Sequence, residues 1–206
     1  MTNKTRKIGI MGGTFNPIHQ GHLLLAEEAR DYCRLDEILF MPSGFSYMKN
    51  KKDIVSNEAR KEMTLLAIEN QPFFSLSMLE MEREGATYTC ETLEILKEHY
   101  PETLFYFILG ADNLFSIEKW KNPEQIMQGF ILVAAARGAK TEDEILSKAE
   151  ALKQKYKANI ILLPARTIDL SSSEIRERIK NEKSVRYMLP DKVLSYIEEH
   201  GLYQNY

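Results

Sequence analysis

Two imidazoles three residues apart, His19 and His22, close the run Gly12-Gly13-Thr14-Phe15-Asn16-Pro17-Ile18-His19-Gln20-Gly21-His22. The apolar stretch Ile8-Gly9-Ile10-Met11 leads into it, so the segment reads as strand, glycine turn and helix start. These residue types suit a triphosphate. Gly12 and Gly13 can adopt backbone angles closed to other residues and let main chain approach a ligand closely. Thr14 and Phe15 would then present amides to phosphate oxygens. Past Pro17, a helix start adds unpaired N–H groups and the positive end of the dipole. His19 and His22 fall on one face of such a helix, where imidazoles can donate to oxygens that gain charge in a transition state. Gly21, between them, would leave room for a nucleotide against the backbone. Gly-Gly alone would favour a capped turn with two surface histidines; the whole ordered set after a strand argues against it.

A second stretch has matching chemistry. Ser171-Ser172-Ser173-Glu174-Ile175-Arg176 follows Ile168-Asp169-Leu170. Ser171 and Glu174 fit a capping box, which leaves Ser172 and Ser173 in the first helical turn. Their amides and hydroxyls would point from the helix end as anion donors, with Arg176 adding a fork of N–H groups. Alone this is an ordinary capped helix. Beside the first motif it becomes the second half of a triphosphate clamp.

The elements that must position these residues alternate between strand-like and helical patterns. Short apolar runs at 7–11, 38–41, 104–109, 131–135 and 159–163, with an alternating run at 73–79, read as strands. Helical spacing covers 23–34. Ser56 caps a predicted helix over 57–70 before Pro72, and Thr89 caps one that ends before Pro101. Asn122-Pro123 opens a short helix closed by Gly129. Thr141 and Glu144 form a capping box for a helix running to about 157. Two helical segments finish the chain.

This predicts an α/β, doubly wound (Rossmann-like), mostly parallel sheet with helices on both faces. The expected organisation is a single domain over 1–206, with 171–206 a C-terminal helical segment carrying the serine-rich phosphate motif. In such sheets ligands bind beyond the carboxyl ends of the strands, where both motifs fall.

The bulk composition narrows the function classes. The 206 residues are 44% hydrophobic and 28% charged, as in an ordinary globular protein. A formal net charge of −3 argues against a general nucleic-acid binder. Local basic clusters remain at Lys49/Lys51/Lys52 and over 176–186. Cys33 and Cys90 have neither metal-ligand spacing nor a disulfide framework, and no apolar secretory segment opens the chain. No apolar run is long enough to span a bilayer. A soluble cytoplasmic protein, with neither nucleic-acid nor membrane partners, is expected.

The His19-Gln20-Gly21-His22 and Ser171 to Arg176 motifs together resemble the nucleotidyltransferase superfamily of α/β phosphodiesterases. The likeness extends to its bacterial nicotinate-nucleotide adenylyltransferase family. It is carried by 12–23, by Met41-Pro42-Ser43-Gly44 with Lys49, and by Thr87-Tyr88-Thr89 with Glu91-Thr92-Leu93. It continues through Ile108-Leu109-Gly110-Ala111-Asp112 with Lys119-Trp120, the serine motif, and Leu189-Pro190, Val193, Tyr196-Ile197 and Leu202-Tyr203. Four stretches depart from the family pattern. Asn16 replaces the usual Asp, and Ser46-Tyr47-Met48-Lys49 a Pro-Pro-His-Lys. Arg137-Gly138-Ala139 stands for Arg-Pro-Gly, and Glu91 for Asp.

The resemblance implies direct adenylyl transfer from ATP to nicotinate mononucleotide, giving nicotinate adenine dinucleotide and pyrophosphate. It implies catalytic roles for His19, His22 and Arg176. On the ATP side it implies Gly12, Gly13, Thr14, Phe15, Lys49, Gly110, Asp112, Ser172, Ser173 and Ile175, with Asp112 accepting from a ribose hydroxyl. Tyr88 and Thr89 amides would meet the nicotinate carboxylate, Trp120 would stack on the pyridine ring, and Arg137 would lie near the substrate. Read from residue type alone, Asp112 is equally a helix cap, Lys49 a surface lysine and Trp120 a core residue. Mg2+ is expected with the ATP, held chiefly by phosphate oxygens and water, with no metal site built from protein side chains. A homo-oligomer is allowed, but the sequence gives no oligomeric state. Two alternatives stay open: a superfamily relative with another acceptor (nicotinamide mononucleotide, phosphopantetheine), and a silent nucleotide-binding sensor.

Overall fold

The computed structural model describes residues 5–44, 54–135, 141–164 and 170–204. Among these, six strands run in the chain order β1 (Arg6–Gly13), β2 (Glu37–Pro42), β3 (Phe74–Leu76), β4 (Thr103–Gly110), β5 (Ile131–Ala135) and β6 (Asn159–Leu163). They form one sheet ordered β3-β2-β1-β4-β5-β6. The β1–β4, β4–β5 and β5–β6 pairs are parallel. Sequence order reverses between β1 and β4, which makes their carboxyl ends the switch point where ligands of doubly wound sheets sit. In β4, Phe105, Tyr106, Phe107, Ile108 and Leu109 are all buried, as are Leu132, Val133 and Ala134 in β5. Successive strand residues point to opposite faces, so unbroken burial means that both faces are covered.

Among the described residues, eight α-helices join or follow the strands: α1 (Gln20–Cys33), α2 (Asn57–Ile68), α3 (Thr89–His99), α4 (Ala111–Ser116), α5 (Pro123–Gly129), α6 (Glu142–Tyr156), α7 (Ser172–Lys180) and α8 (Asp191–Glu199). Local chemistry sets several of their starts. Ser56 accepts from the Ala59 N–H at 3.1 Å and caps α2. Thr141 and Glu144 close a reciprocal capping box on α6. Asn122 precedes the N1 proline of α5 as expected, but in a left-handed conformation (φ 47°) and without a side-chain cap. The cap of α3 is Tyr88 rather than Thr89, which is itself the first helical residue. The alternating run at 73–79 forms a strand only over Phe74–Leu76, with the Ser77 N–H still donating to the Phe40 carbonyl of β2 at 2.8 Å.

The chain divides into two compact units. The first comprises the described residues within Met1–Gly12, Leu25–Leu39 and Tyr88–Ile168. Its core is built on Ile8, Ile10, Leu93, Phe107, Ile108, Leu132, Val133, Ala149 and Leu152. The second comprises those within Gly13–Leu24, Phe40–Thr87 and Asp169–Tyr206. There α2 packs on α8, around Phe15, Ile18, Phe40, Met41, Met63, Ile175, Val193, Ile197 and Tyr203. Cys33 and Cys90 are both free and buried, and burial raises the pKa of each thiol.

Candidate active site

The second unit holds the loop between Gly13 and α1 together with the start of α7. Neither Gly12 nor Gly13 is left-handed; the left-handed residue of this turn is Phe15, at φ 48°. Gly13 is needed for a different reason than backbone freedom. A Cβ there would lie 2.7 Å from Cε1 of Phe15, whose ring folds back into the core. Phe15 thus leaves only its main chain to line this turn, while its ring meets His22 edge-on at 5.1 Å.

The two histidines come together. Their rings stack at 3.7 Å between centroids with 28° between planes. The His19 N–H donates to Nδ1 of His22 at 3.2 Å. An accepting Nδ1 carries no proton, so the proton of the neutral His22 imidazole sits on Nε2, making that atom a donor. His19 is 1% exposed. Gly21 serves it directly, since a Cβ at position 21 would stand 3.1 Å from His19 Nδ1. The space expected for a nucleotide at Gly21 is filled by the histidine ring.

The start of α7 is fastened to this loop. Ser171 accepts from the Glu174 N–H at 3.1 Å. Ser172 Oγ donates to the Pro17 carbonyl at 2.8 Å, and Arg176 Nη1 to the Asn16 carbonyl at 2.8 Å. Arg176 Nη2 also donates to Ser173 Oγ at 3.2 Å. The single hydroxyl hydrogen of Ser172 is therefore committed to Pro17, so as an anion donor this residue has its amide alone. Ile175 is fully buried, so its side chain packs rather than faces a ligand. Asn16 is likewise buried; its Oδ1 accepts from the Val55 N–H at 3.2 Å and from the Tyr203 hydroxyl at 3.0 Å. Its side chain serves as an internal tie, not as a missing charge beside the phosphate loop.

The first unit holds the other candidates. Gly110 caps α4, and a Cβ there would meet nothing within 4 Å. Asp112 lies in the first turn of α4 and is exposed, not its cap. A Cβ on Gly12 would be 3.5 Å from Phe107, which meets Trp120 edge-on at 6.1 Å and 73°. Tyr88 and Thr89 stand at the N-terminus of α3, where free amides and the dipole favour a negative charge. Lys121 lies 4.0 Å from the Tyr88 ring centroid and pairs with Glu91 at 2.7 Å.

Lys49 and Arg137 lie outside the described residues. The sequence reading missed Arg60, Ser43 and Lys121. Arg60 sits in the charged run Asn57-Glu58-Ala59-Arg60-Lys61-Glu62, which looks like a solvated helix face; only its spacing from Met63 and Thr64 aligns it with the buried side. Among the described residues, no three His, Cys, Asp or Glu side chains cluster so as to hold a metal ion.

The strand order, the crossing point and the loop that follows β1 define a doubly wound α/β protein built to receive a nucleotide. The cytidylyltransferase-like family model matches residues 10–178. A probable nicotinate-nucleotide adenylyltransferase of Lachnoclostridium phytofermentans is 49% identical over 198 residues, covering 96% of this chain and 99% of the relative. One from Clostridium botulinum is 42% identical over 199 residues, covering 97% and 98%. The chain belongs to the cytidylyltransferase-like family and, within it, to the nicotinate-nucleotide adenylyltransferases. The fold is shared with the Plasmodium falciparum nicotinic acid mononucleotide adenylyltransferase complexed with NaAD. That likeness has a TM-score of 0.81 at 24% identity and covers 96% of this chain and 97% of the other.

Proposed function

We propose that this chain transfers the adenylyl group of ATP to nicotinate mononucleotide, in the synthesis of NAD. A 5′-phosphate oxygen of the acceptor attacks the α-phosphorus in line, the bond from that phosphorus to the bridging oxygen breaks, and pyrophosphate leaves. Catalysis of this kind is positioning and charge stabilisation, with no covalent enzyme intermediate. The observation that carries the reading is the stacked histidine pair, with Nε2 of His22 set as a donor by the bond at its Nδ1.

In this reading His22 donates to the phosphate oxygens that gain charge, and His19 holds its ring in place and acts on the same face. Arg176 uses two of its five N–H donors on the loop and α7, leaving others for the pyrophosphate beside the Ser172 and Ser173 amides. Asp112 accepts from a ribose hydroxyl, Gly110 leaves room for the sugar, and Trp120 lies along the pyridine. Lys49 and Arg137 keep the phosphate and substrate roles that the family resemblance implies. The N-terminus of α3 at Tyr88 and Thr89, with Lys121 beside it, favours an acceptor carboxylate over an amide. When bound with ATP, Mg2+ would supply charge neutralisation of the triphosphate, held by phosphate oxygens and water rather than by side chains of this chain. We place the enzyme in the cytoplasm, where the sequence reading expects it.

The test is pyrophosphate release from ATP and Mg2+ with nicotinate mononucleotide, nicotinamide mononucleotide and phosphopantetheine offered in parallel. Release with the first, at a kcat/KM well above the others, is the expected result. Release with another acceptor alone would replace the substrate, and binding of ATP without release from any would make the protein a sensor.

A further inference from the structure

Arg60 on α2 is 1% exposed and one of the largest fully buried side chains. Its guanidinium donates through Nη1 to the carbonyls of Thr14 and Ser43, each at 2.8 Å, and through Nη2 to Asn57 Oδ1 at 2.6 Å. All three partners are neutral. Its Nε and the nearby hydroxyl of Ser43 are both buried with no hydrogen-bond partner among the described residues. Burial pushes the guanidinium pKa down, partly offset by Tyr203, yet an arginine keeps its charge in proteins. A buried cation that lacks a carboxylate is costly, and a fold that needed only a brace would pair it or replace it by an apolar side chain.

One carbonyl it grips, that of Thr14, belongs to the loop after β1, and the other, that of Ser43, lies just past the end of β2. In a trans peptide the C=O and the following N–H point in opposite directions. Holding the Thr14 and Ser43 carbonyls therefore turns the N–H groups of Phe15 and Gly44 away from Arg60. The Ser43 N–H in turn donates to the Gly13 carbonyl at 2.8 Å, which turns the Thr14 N–H the opposite way. We propose that Arg60 is a positioning residue for the triphosphate: it sets the amides of this loop toward the anion and leaves its own buried charge to be balanced by the incoming phosphates. The proposal rests on the reading that the loop following β1 receives ATP.

Two substitutions test it, read by the thermal shift that inorganic tripolyphosphate produces and by the separate KM values for ATP and acceptor. Asn57→Asp places a carboxylate on the guanidinium while keeping the brace. It should leave Tm unchanged or higher, yet weaken tripolyphosphate and raise KM for ATP by about tenfold. That is the effect of one unit charge at about 12 Å in an effective dielectric of about 20. Arg60→Lys keeps the charge, but its shorter reach and single nitrogen cannot reproduce the fork that holds both carbonyls and Asn57 Oδ1 together; it should retain tripolyphosphate binding in part and lose kcat. The acceptor KM should stay within about twofold in N57D. Wild-type affinity for tripolyphosphate in N57D, with ATP kinetics intact, would reduce Arg60 to a structural brace and overturn the proposal alone. Absence of any tripolyphosphate shift in the wild-type protein would instead overturn the reading of the loop.

Discussion

Single residues at this site are chosen for what their neighbours require. Gly21 shows this best, because its missing Cβ accommodates the His19 imidazole, and His19 in turn stacks on His22. Gly21→Ala should therefore displace the pair and lower kcat by roughly tenfold. Stability should hold or fall slightly, since displacing the buried His19 ring offsets the up to about 1 kcal/mol by which alanine is favoured over glycine in a helix. Wild-type turnover in G21A, measured with an unchanged Tm, would remove the histidine stack from the mechanism. The residue types around this stack were legible in the sequence because glycines, histidines and serines with such spacing have few other uses. Their partners were not. That Ser172 spends its hydroxyl on Pro17, that Asn16 ties Val55 to Tyr203, and that Phe15 carries the left-handed angle all depend on chain segments far apart in sequence.

At the scale of elements, local chemistry fixed most boundaries. Strands β5 and β6 fall on the apolar runs read from the sequence, and the caps at Ser56, Thr141 and Ser171 act as their side chains require. The start of α1 lies at Gln20, before the apolar spacing begins at Leu23, because its first turn serves the histidines rather than the core. The short α4 and the 3-10 turn Ile117–Lys119 went unread, since neither spans enough residues to show a period. That turn is held to α6 by Glu118, which accepts from the amines of Lys148 and Lys155 and from the Tyr156 hydroxyl. These hydrogen bonds, Lys148 first, lower the Glu118 pKa from 4.5 to about 2. A depressed carboxylate stabilises the fold above its unfolded pKa and loses that contribution as pH falls toward the folded one. The turn should thus weaken between pH 4.5 and about 2, and Glu118→Gln should lessen the fall of Tm across the upper part of that window. An identical pH profile in the variant would show that the network adds nothing to stability.

Over the whole molecule, the alternation of strand and helix sufficed to predict a doubly wound parallel sheet, but not its order. Pairing β1 with β4, which begins at Thr103, is a contact between distant segments that no local pattern encodes. That pairing makes the switch point, where the ligands of doubly wound sheets bind; Arg60, in a helix that reads as surface, is buried and holds the Thr14 and Ser43 carbonyls. Phosphate-binding parts alone fit several reactions on ATP; what singles out adenylyl transfer is which phosphorus is attacked. The most direct measurement is therefore the fate of ATP labelled at the α-phosphorus, incubated with Mg2+ and nicotinate mononucleotide. Label recovered in a dinucleotide, with unlabelled pyrophosphate released in equal amount, is the expected result. Label remaining in ADP, or in unreacted ATP while the acceptor is present in excess, would contradict adenylyl transfer by this site.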